Sequence, residues 1–269
     1  MRCKGVYVGL VTLLLFMACP PCSVKAQRNF LGKPGLIRIP SASYSEVRDN
    51  VFFQVSRMPI EYRINNFMNK PAEEMFYTAQ IQPLPWVGVN FVLTRPVEIP
   101  RIGIGDRHLD LQFFVLNEKK HGLDLSLIVS PMLGSSFIDH NSVIISKKFI
   151  ISSDFKLQGT VGYGLESVYK KPLNRFKFED NGLQWIPKSM FGNFYLSGFF
   201  AGSQLTFREK VFFSAEFDSQ YFNFSGSVLL FEKLGVQVSF LDIVYPTASV
   251  NYKVFLDKPK KIKYKPDAN

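Results

Sequence analysis

Residues able to do chemistry are few in this sequence and widely scattered. It holds three histidines, His108, His121 and His140, and their spacing matches no metal-ligand pattern. His108 and Asp110 stand two apart in a stretch with strand alternation, so they share one face. A Ser-His-Asp hydrolase built on that face would need a serine that no motif supplies, and a polar pair on a wet wall is the plainer reading. Glu216 and Asp218 repeat the spacing, which places them about 7 Å apart along a strand. That separation fits an inverting glycosidase, yet neighbouring polar residues on any wet strand face give it too. Gly103-Ile104-Gly105-Asp106 contains a bare G-x-G without the strand-turn-helix setting that cradles phosphate. The sequence therefore predicts no catalytic set, no cofactor and no metal centre: a protein that is not an enzyme.

A different chemistry is offered by the stretch 165–198. Tyr169, Phe176, Phe178, Trp185, Phe191, Phe194 and Tyr195 lie there among Lys170, Lys171, Arg175, Lys177 and Lys188. Aromatic faces stack on sugar rings, and cations meet uronate or phosphate groups. Tyr169, Lys170, Lys171, Arg175, Lys177, Trp185 and Lys188 are thus the candidate glycan-contacting loop, expected to fold over or into the mouth of the wall that carries it. An Ω-loop packing its own aromatics would use the same residues.

The beginning of the chain reads as a secretory signal over residues 1–26. Arg2 and Lys4 form a basic start, an apolar run extends from Val6 to Ala18, and Val24-Lys25-Ala26 is a small-residue exit. The apolar run is too short to span a bilayer as a helix. All three cysteines, Cys3, Cys19 and Cys22, fall in this leader, so cleavage after Ala26 leaves no disulfide to form. Phe16-Met17-Ala18-Cys19 also resembles a lipobox, which makes Cys19 the candidate lipidation site. The Cys19-Pro20-Pro21-Cys22 stretch lacks the βαβ setting of a redox motif. Loss of Arg2, Lys4 and Lys25 takes the net charge from +10 to +7. Such a balance favours anionic surroundings, and in an exported chain these are lipopolysaccharide and acidic glycans, not nucleic acid.

The elements that must position these residues are strands. Period-2 alternation recurs over 50–58, 76–84, 87–96, 107–118, 123–131, 141–150, 155–164, 199–207, 211–218, 221–230, 234–242 and 247–255. Alternation alone also fits a soluble β-sandwich. Connection lengths separate the two: 83–86, 119–122, 151–154, 208–210 and 231–233 are tight and are every second connection, with longer ones at 59–75, 97–106, 131–140 and 165–198. Short connections at 219–220 and 243–246 complete that second set. Outer-membrane barrels alternate tight periplasmic turns with longer external loops, and twelve strands return both ends to the periplasmic side. An aromatic share of 15%, with 27 Phe, suits lipid-facing positions. The expected fold is an all-β, antiparallel transmembrane-type barrel over 50–255. An N-terminal arm or plug over 27–49 precedes it, and a basic disordered tail over 256–269 follows.

Two segments carry a family likeness: Pro34-Gly35-Leu36-Ile37-Arg38-Ile39-Pro40-Ser41-Ala42 and Gln82-Pro83-Leu84-Pro85-Trp86. Together they resemble the YjbH family, the marked positions being Gly35, Leu36, Ile37, Pro40, Gln82, Pro83, Pro85 and Trp86. The resemblance implies an outer-membrane β-barrel, often with a lipoprotein-type leader, linked to exopolysaccharide or capsule production and secretion. Larger members have room for two barrels and this chain for one. The implied function is non-enzymatic assistance to secretion or surface assembly of an extracellular polysaccharide, in contact with outer-membrane lipid, lipopolysaccharide, anionic polysaccharide and export-machinery proteins. The alternative is a periplasmic or lipid-anchored β-domain that binds glycan or scaffolds the export machinery.

Overall fold

The computed structural model describes residues 27–43, 50–63, 72–97, 99, 103–131, 138–170, 184–191 and 195–256. The leader 1–26 with Cys19, residues 44–49 of the expected arm, Lys171, Arg175, Lys177 and the tail beyond residue 256 lie outside them. In chain order the strands are β1 (Asn50–Met58), β2 (Glu74–Leu84), β3 (Val87–Pro96), β4 (Arg107–Leu116), β5 (Asp124–Val129), β6 (Ser142–Ile150), β7 (Phe155–Gly164), β8 (Ser167–Lys170), β9 (Gln184–Pro187), β10 (Gly198–Phe207), β11 (Val211–Phe217), β12 (Phe222–Leu230), β13 (Leu234–Leu241) and β14 (Tyr245–Phe255).

All but β8 and β9 join in one closed antiparallel barrel of twelve strands. Each strand pairs with its neighbour in sequence, and the register of β1 on β14, Asn50 opposite Phe255, closes the ring. Closure removes the free edges that an open sheet would expose, so every strand finds backbone partners on both sides.

The polarity of the wall is inverted relative to a protein folded for water. On β1, Phe53 is 51% exposed while Gln54 is 3% exposed, and Val55 and Ser56 repeat that order. The same holds across the ring: Phe213, Val238, Val250 and Tyr252 face out, while Ser214, Gln237, Ser249 and Asn251 are buried inside. A soluble sandwich would place the apolar set inside. Exposed aromatics stand at both rims as well as along the strands between them. Trp86, Phe149, Phe155, Phe231 and Phe255 stand by the tight turns, and Tyr163, Phe199, Tyr221 and Phe222 by the opposite ends of the strands.

Several connections differ in detail from the sequence pattern. Lys119–Gly122 is part of a longer link, because β4 stops at Leu116 and one helical turn, Glu118–His121, forms instead. Asn117 caps that turn, its side chain accepting from the Lys119 amide at 2.9 Å, and Gly122 ends it in the left-handed region. The hairpin turns at Arg208 and Glu209, Phe231 and Glu232, and Asp242 and Ile243 have positive φ at both central residues. That geometry matches strand twist and is ordinarily given to Asn-Gly. Here charged and bulky residues adopt it, which costs local energy that the paired strands on either side offset.

Candidate functional site

The interior of the barrel is filled by the chain's own residues 27–43. This segment is folded tightly on itself by isolated bridges that pair Arg28 with Pro34 and Gly35 with Pro40. Asn29 organises it: its side-chain oxygen accepts from the amides of Leu31 (3.1 Å) and Lys33 (2.9 Å), and its amide donates to the Arg38 carbonyl (3.0 Å). Gly35 is required by the close crossing, since a Cβ there would meet the Ile39 carbonyl oxygen at 2.4 Å. Leu36, Ile37 and Ile39 are buried against Phe76, Val92, Ile128, Ile144 and Phe200 from the wall. Gly202 of β10 faces Leu36 and leaves the room a side chain would take.

Side chains from β1, β2, β3, β4, β6, β7, β11, β12 and β13 reach this segment, so it is surrounded by wall. Gln54 donates to the Asn29 carbonyl (2.8 Å), Asn90 to that of Leu31 (2.9 Å), Gln112 to that of Ser41 (2.8 Å) and Gln237 to that of Leu36 (3.0 Å). The inward amides therefore serve backbone groups that have no strand partner.

Two charged grips lie on opposite parts of the wall. On the β11 side the Glu216 carboxylate accepts from the backbone amides of Ile37 (2.9 Å), Arg38 (2.7 Å) and Ile39 (3.3 Å). Asp218 pairs with the Arg38 guanidinium, and Asn223 donates to both carboxylates at 3.1 Å. Arg38 also lies over the rings of Tyr62 and Tyr195. Glu216 and Asp218 thus share a face as their spacing predicts, and both are occupied by the segment.

On the β4 side, Lys33 is fully buried and its ammonium pairs with Asp110. It also donates to His140 Nε2 at 2.9 Å. Lysine has no lone pair to offer, so His140 accepts at Nε2 and carries its proton on Nδ1, which faces the Ile138 carbonyl at 3.0 Å. Ser130 Oγ donates to Asp110 Oδ1 (2.6 Å) and accepts from the His140 amide (2.9 Å). His108 Nδ1 meets Asp139 Oδ1 at 2.9 Å. Its Nε2 lies 2.7 Å from Asp110 Oδ1 but makes no aligned hydrogen bond. Burial, with the Lys33 charge beside it, holds the His140 imidazole well below its ordinary pKa. Burial also pushes the Lys33 ammonium down, against the pull of Asp110.

His108, Asp110 and His140 each place a ligand atom within 4.8 Å of the others, a grouping that the sequence spacing did not reveal. Among the described residues no serine stands in line with His108 as a nucleophile: Ser130 is bound to Asp110 and to the backbone of His140.

Of the aromatic and cationic stretch, Tyr169 on β8 and Trp185 on β9 form a two-stranded hairpin outside the barrel, with their rings 5.4 Å apart. They are 40% and 58% exposed. Lys188 behaves differently: it is 3% exposed and donates to the carbonyls of Tyr195 (3.0 Å) and Leu196 (3.2 Å). Burial lowers its pKa to about 8. Tyr195 is buried too, and its hydroxyl donates to the Arg38 carbonyl at 2.8 Å, so this connection ends inside the barrel against the inner segment. In the second motif Gln82 donates to the Pro85 carbonyl at 2.9 Å across the tight turn, and Trp86 projects outward.

No protein-family model matches the chain and no curated protein matches it, so the YjbH resemblance rests on its two motifs. Solved structures do match. A KdgM porin is 8% identical, with 77% of this chain and 99% of that chain covered and a TM-score of 0.41. Omp33, an outer membrane protein of Acinetobacter baumannii, is 10% identical over 79% of this chain and all of that one, with a TM-score of 0.36. Wzi is described as an outer membrane protein involved in group 1 capsule assembly in Escherichia coli and a carbohydrate-binding β-barrel. It is 8% identical over 73% of this chain and 55% of its own, with a TM-score of 0.28.

Proposed function

We propose that the chain is a non-enzymatic barrel of a Gram-negative outer membrane that assists secretion or surface assembly of an extracellular polysaccharide, with residues 27–43 as its plug. The membrane part of this reading is supported by the inverted wall: apolar side chains outside, polar side chains inside and no free sheet edge. A periplasmic or lipid-anchored domain would leave that apolar outer face in water.

The polysaccharide part is carried by one observation, the exposed ring pair of Tyr169 and Trp185 beyond the rim opposite the tight turns. Paired aromatic faces held outside a wall are suited to stacking on sugar rings. Lys188 donates to the Tyr195 and Leu196 carbonyls and Tyr195 to that of Arg38, contacts that tie the end of the same connection to the inner segment. Lys170, Lys171, Arg175 and Lys177, between Tyr169 and Trp185 in sequence, are the cations this reading assigns to an acidic glycan, and lipopolysaccharide is the lipid partner.

Tyr169→Ala with Trp185→Ala in the producing strain tests it. Surface-retained polysaccharide should fall several-fold while the barrel stays in the outer membrane and keeps its anomalous migration on unheated gels. Unchanged amount, length and location of the glycan would remove the polysaccharide role. Release of the wild-type chain by a carbonate wash would remove the membrane reading instead.

A further inference from the structure

We propose that His108, Asp110 and His140 form a seat for one divalent transition-metal ion, and that the Lys33 ammonium holds this seat while the inner segment is docked. Metal and docked segment then compete for the same wall residues. The inference rests on the described geometry of the barrel interior and is independent of the polysaccharide reading.

Both imidazoles are held from outside the cluster. His140 turns Nε2 toward Lys33 because Nδ1 is tied to the Ile138 carbonyl at 3.0 Å. His108 is tied in the same way from outside, through Nδ1 to Asp139 at 2.9 Å. Its Nε2 is buried, lies beside Asp110 and lacks an aligned partner, in a side chain that is 1% exposed. A histidine whose outer nitrogen is bound to a carbonyl or carboxylate, with the other nitrogen turned inward, is the arrangement found around metal ligands. Asp110 has its own outer contact, the Ser130 hydroxyl at 2.6 Å. Each of the three candidate ligands is therefore oriented by a second residue.

A simple ion pair explains less. Lys33 needs one carboxylate, and Asp110 alone supplies it. His140 Nε2 faces the ammonium and His108 Nε2 faces the Asp110 carboxylate, and one ligand atom from each residue falls within 4.8 Å of the others. Two nitrogens and one carboxylate oxygen are a donor set for zinc, cobalt or ferrous iron, whereas magnesium and calcium prefer oxygen alone. Replacement of a monovalent ammonium by a dication raises the attraction to Asp110, at the cost of freeing Lys33 from the wall.

Titration of the refolded chain, carrying Cys3→Ser, Cys19→Ser and Cys22→Ser so that no leader thiolate binds the metal, with Co²⁺ read by its visible ligand-field absorption, tests this. Lys33→Met should bind one Co²⁺ per chain about 100-fold more tightly than the wild type, and Ser130→Ala in that background should weaken binding about tenfold. His140→Ala in the same background should abolish the band. Lys33→Ala serves as a second variant, with unheated-gel migration reporting the closed barrel in each. The wild type should give the same His140-dependent band at higher Co²⁺, so a misfolded Lys33 variant leaves the test standing. Absence of a band from every closed-barrel sample, or a band that survives without His140, overturns the seat. Equal affinity in wild type and Lys33→Met overturns the competition.

Discussion

The β4 and β11 sides of the barrel interior hold the same segment by different means. On the β4 side Asp110 grips a side-chain charge, the Lys33 ammonium. On the β11 side Glu216 grips backbone, accepting from three successive amides at residues 37–39, while Asp218 takes the Arg38 side chain. A side-chain charge can be deleted together with its partner, because apolar groups of similar volume can replace a buried pair at little cost. Backbone amides cannot be deleted, and a grip on them is specific for the path of the chain. The β11 side therefore fixes where the segment runs, and the β4 side supplies a contact that another cation can take over.

The largest expected effect is at Glu216. Glu216→Ala leaves three buried amides without an acceptor and should cost on the order of 4 kcal/mol. The urea midpoint for loss of gel-shifted, folded barrel reads this directly, and a second change, Arg38→Met, should not restore it. Next comes Asp110→Asn, which strands the Lys33 charge and should cost about 3 kcal/mol. Here the second change does help: Lys33→Met in the same chain should recover at least half of the loss. Equal rescue on both sides would erase the distinction between them.

A smaller effect follows from pH. The His140 imidazole is neutral in the folded barrel, its pKa pushed well down by burial and then by Lys33. Once unfolded it takes a proton near pH 6.5, so acid favours the unfolded chain. Its contribution is fully present above about pH 6.5 and is lost as the pH falls below that value toward the depressed folded pKa. Between pH 7 and pH 5 the loss should be about 2 kcal/mol. In urea melts across that range, His140→Gln should flatten the dependence, and an unchanged slope would contradict the neutral assignment.

Much of the wall was legible in the sequence, because side-chain direction in a strand has a period of two and the outward-facing apolar residues obey it. Twelve strands, their order and the tight side of the barrel follow from that pattern, and β3 and β7 begin and end where alternation places them. The hairpin β8–β9 was not legible, since strands of four residues carry too few alternations to be distinguished from an aromatic loop. Lys188 was misleading for another reason: a cation among aromatics reads as exposed, and only the fold shows that it turns in to the carbonyls of Tyr195 and Leu196. His108 and Asp110 were legible as a pair. Lys33 and His140 were not, because residues 77 apart and 107 apart along the chain meet only when the segment enters the closed ring.

Residues 27–43 should close the barrel, with the wall carboxylates keeping them there. Single-channel conductance in a planar bilayer tests it most directly. The wild type should be silent or flicker briefly, and the Asp110→Asn, Glu216→Ala double variant should open for long periods. A wild-type chain that conducts steadily, at a level the two substitutions leave unchanged, would contradict it.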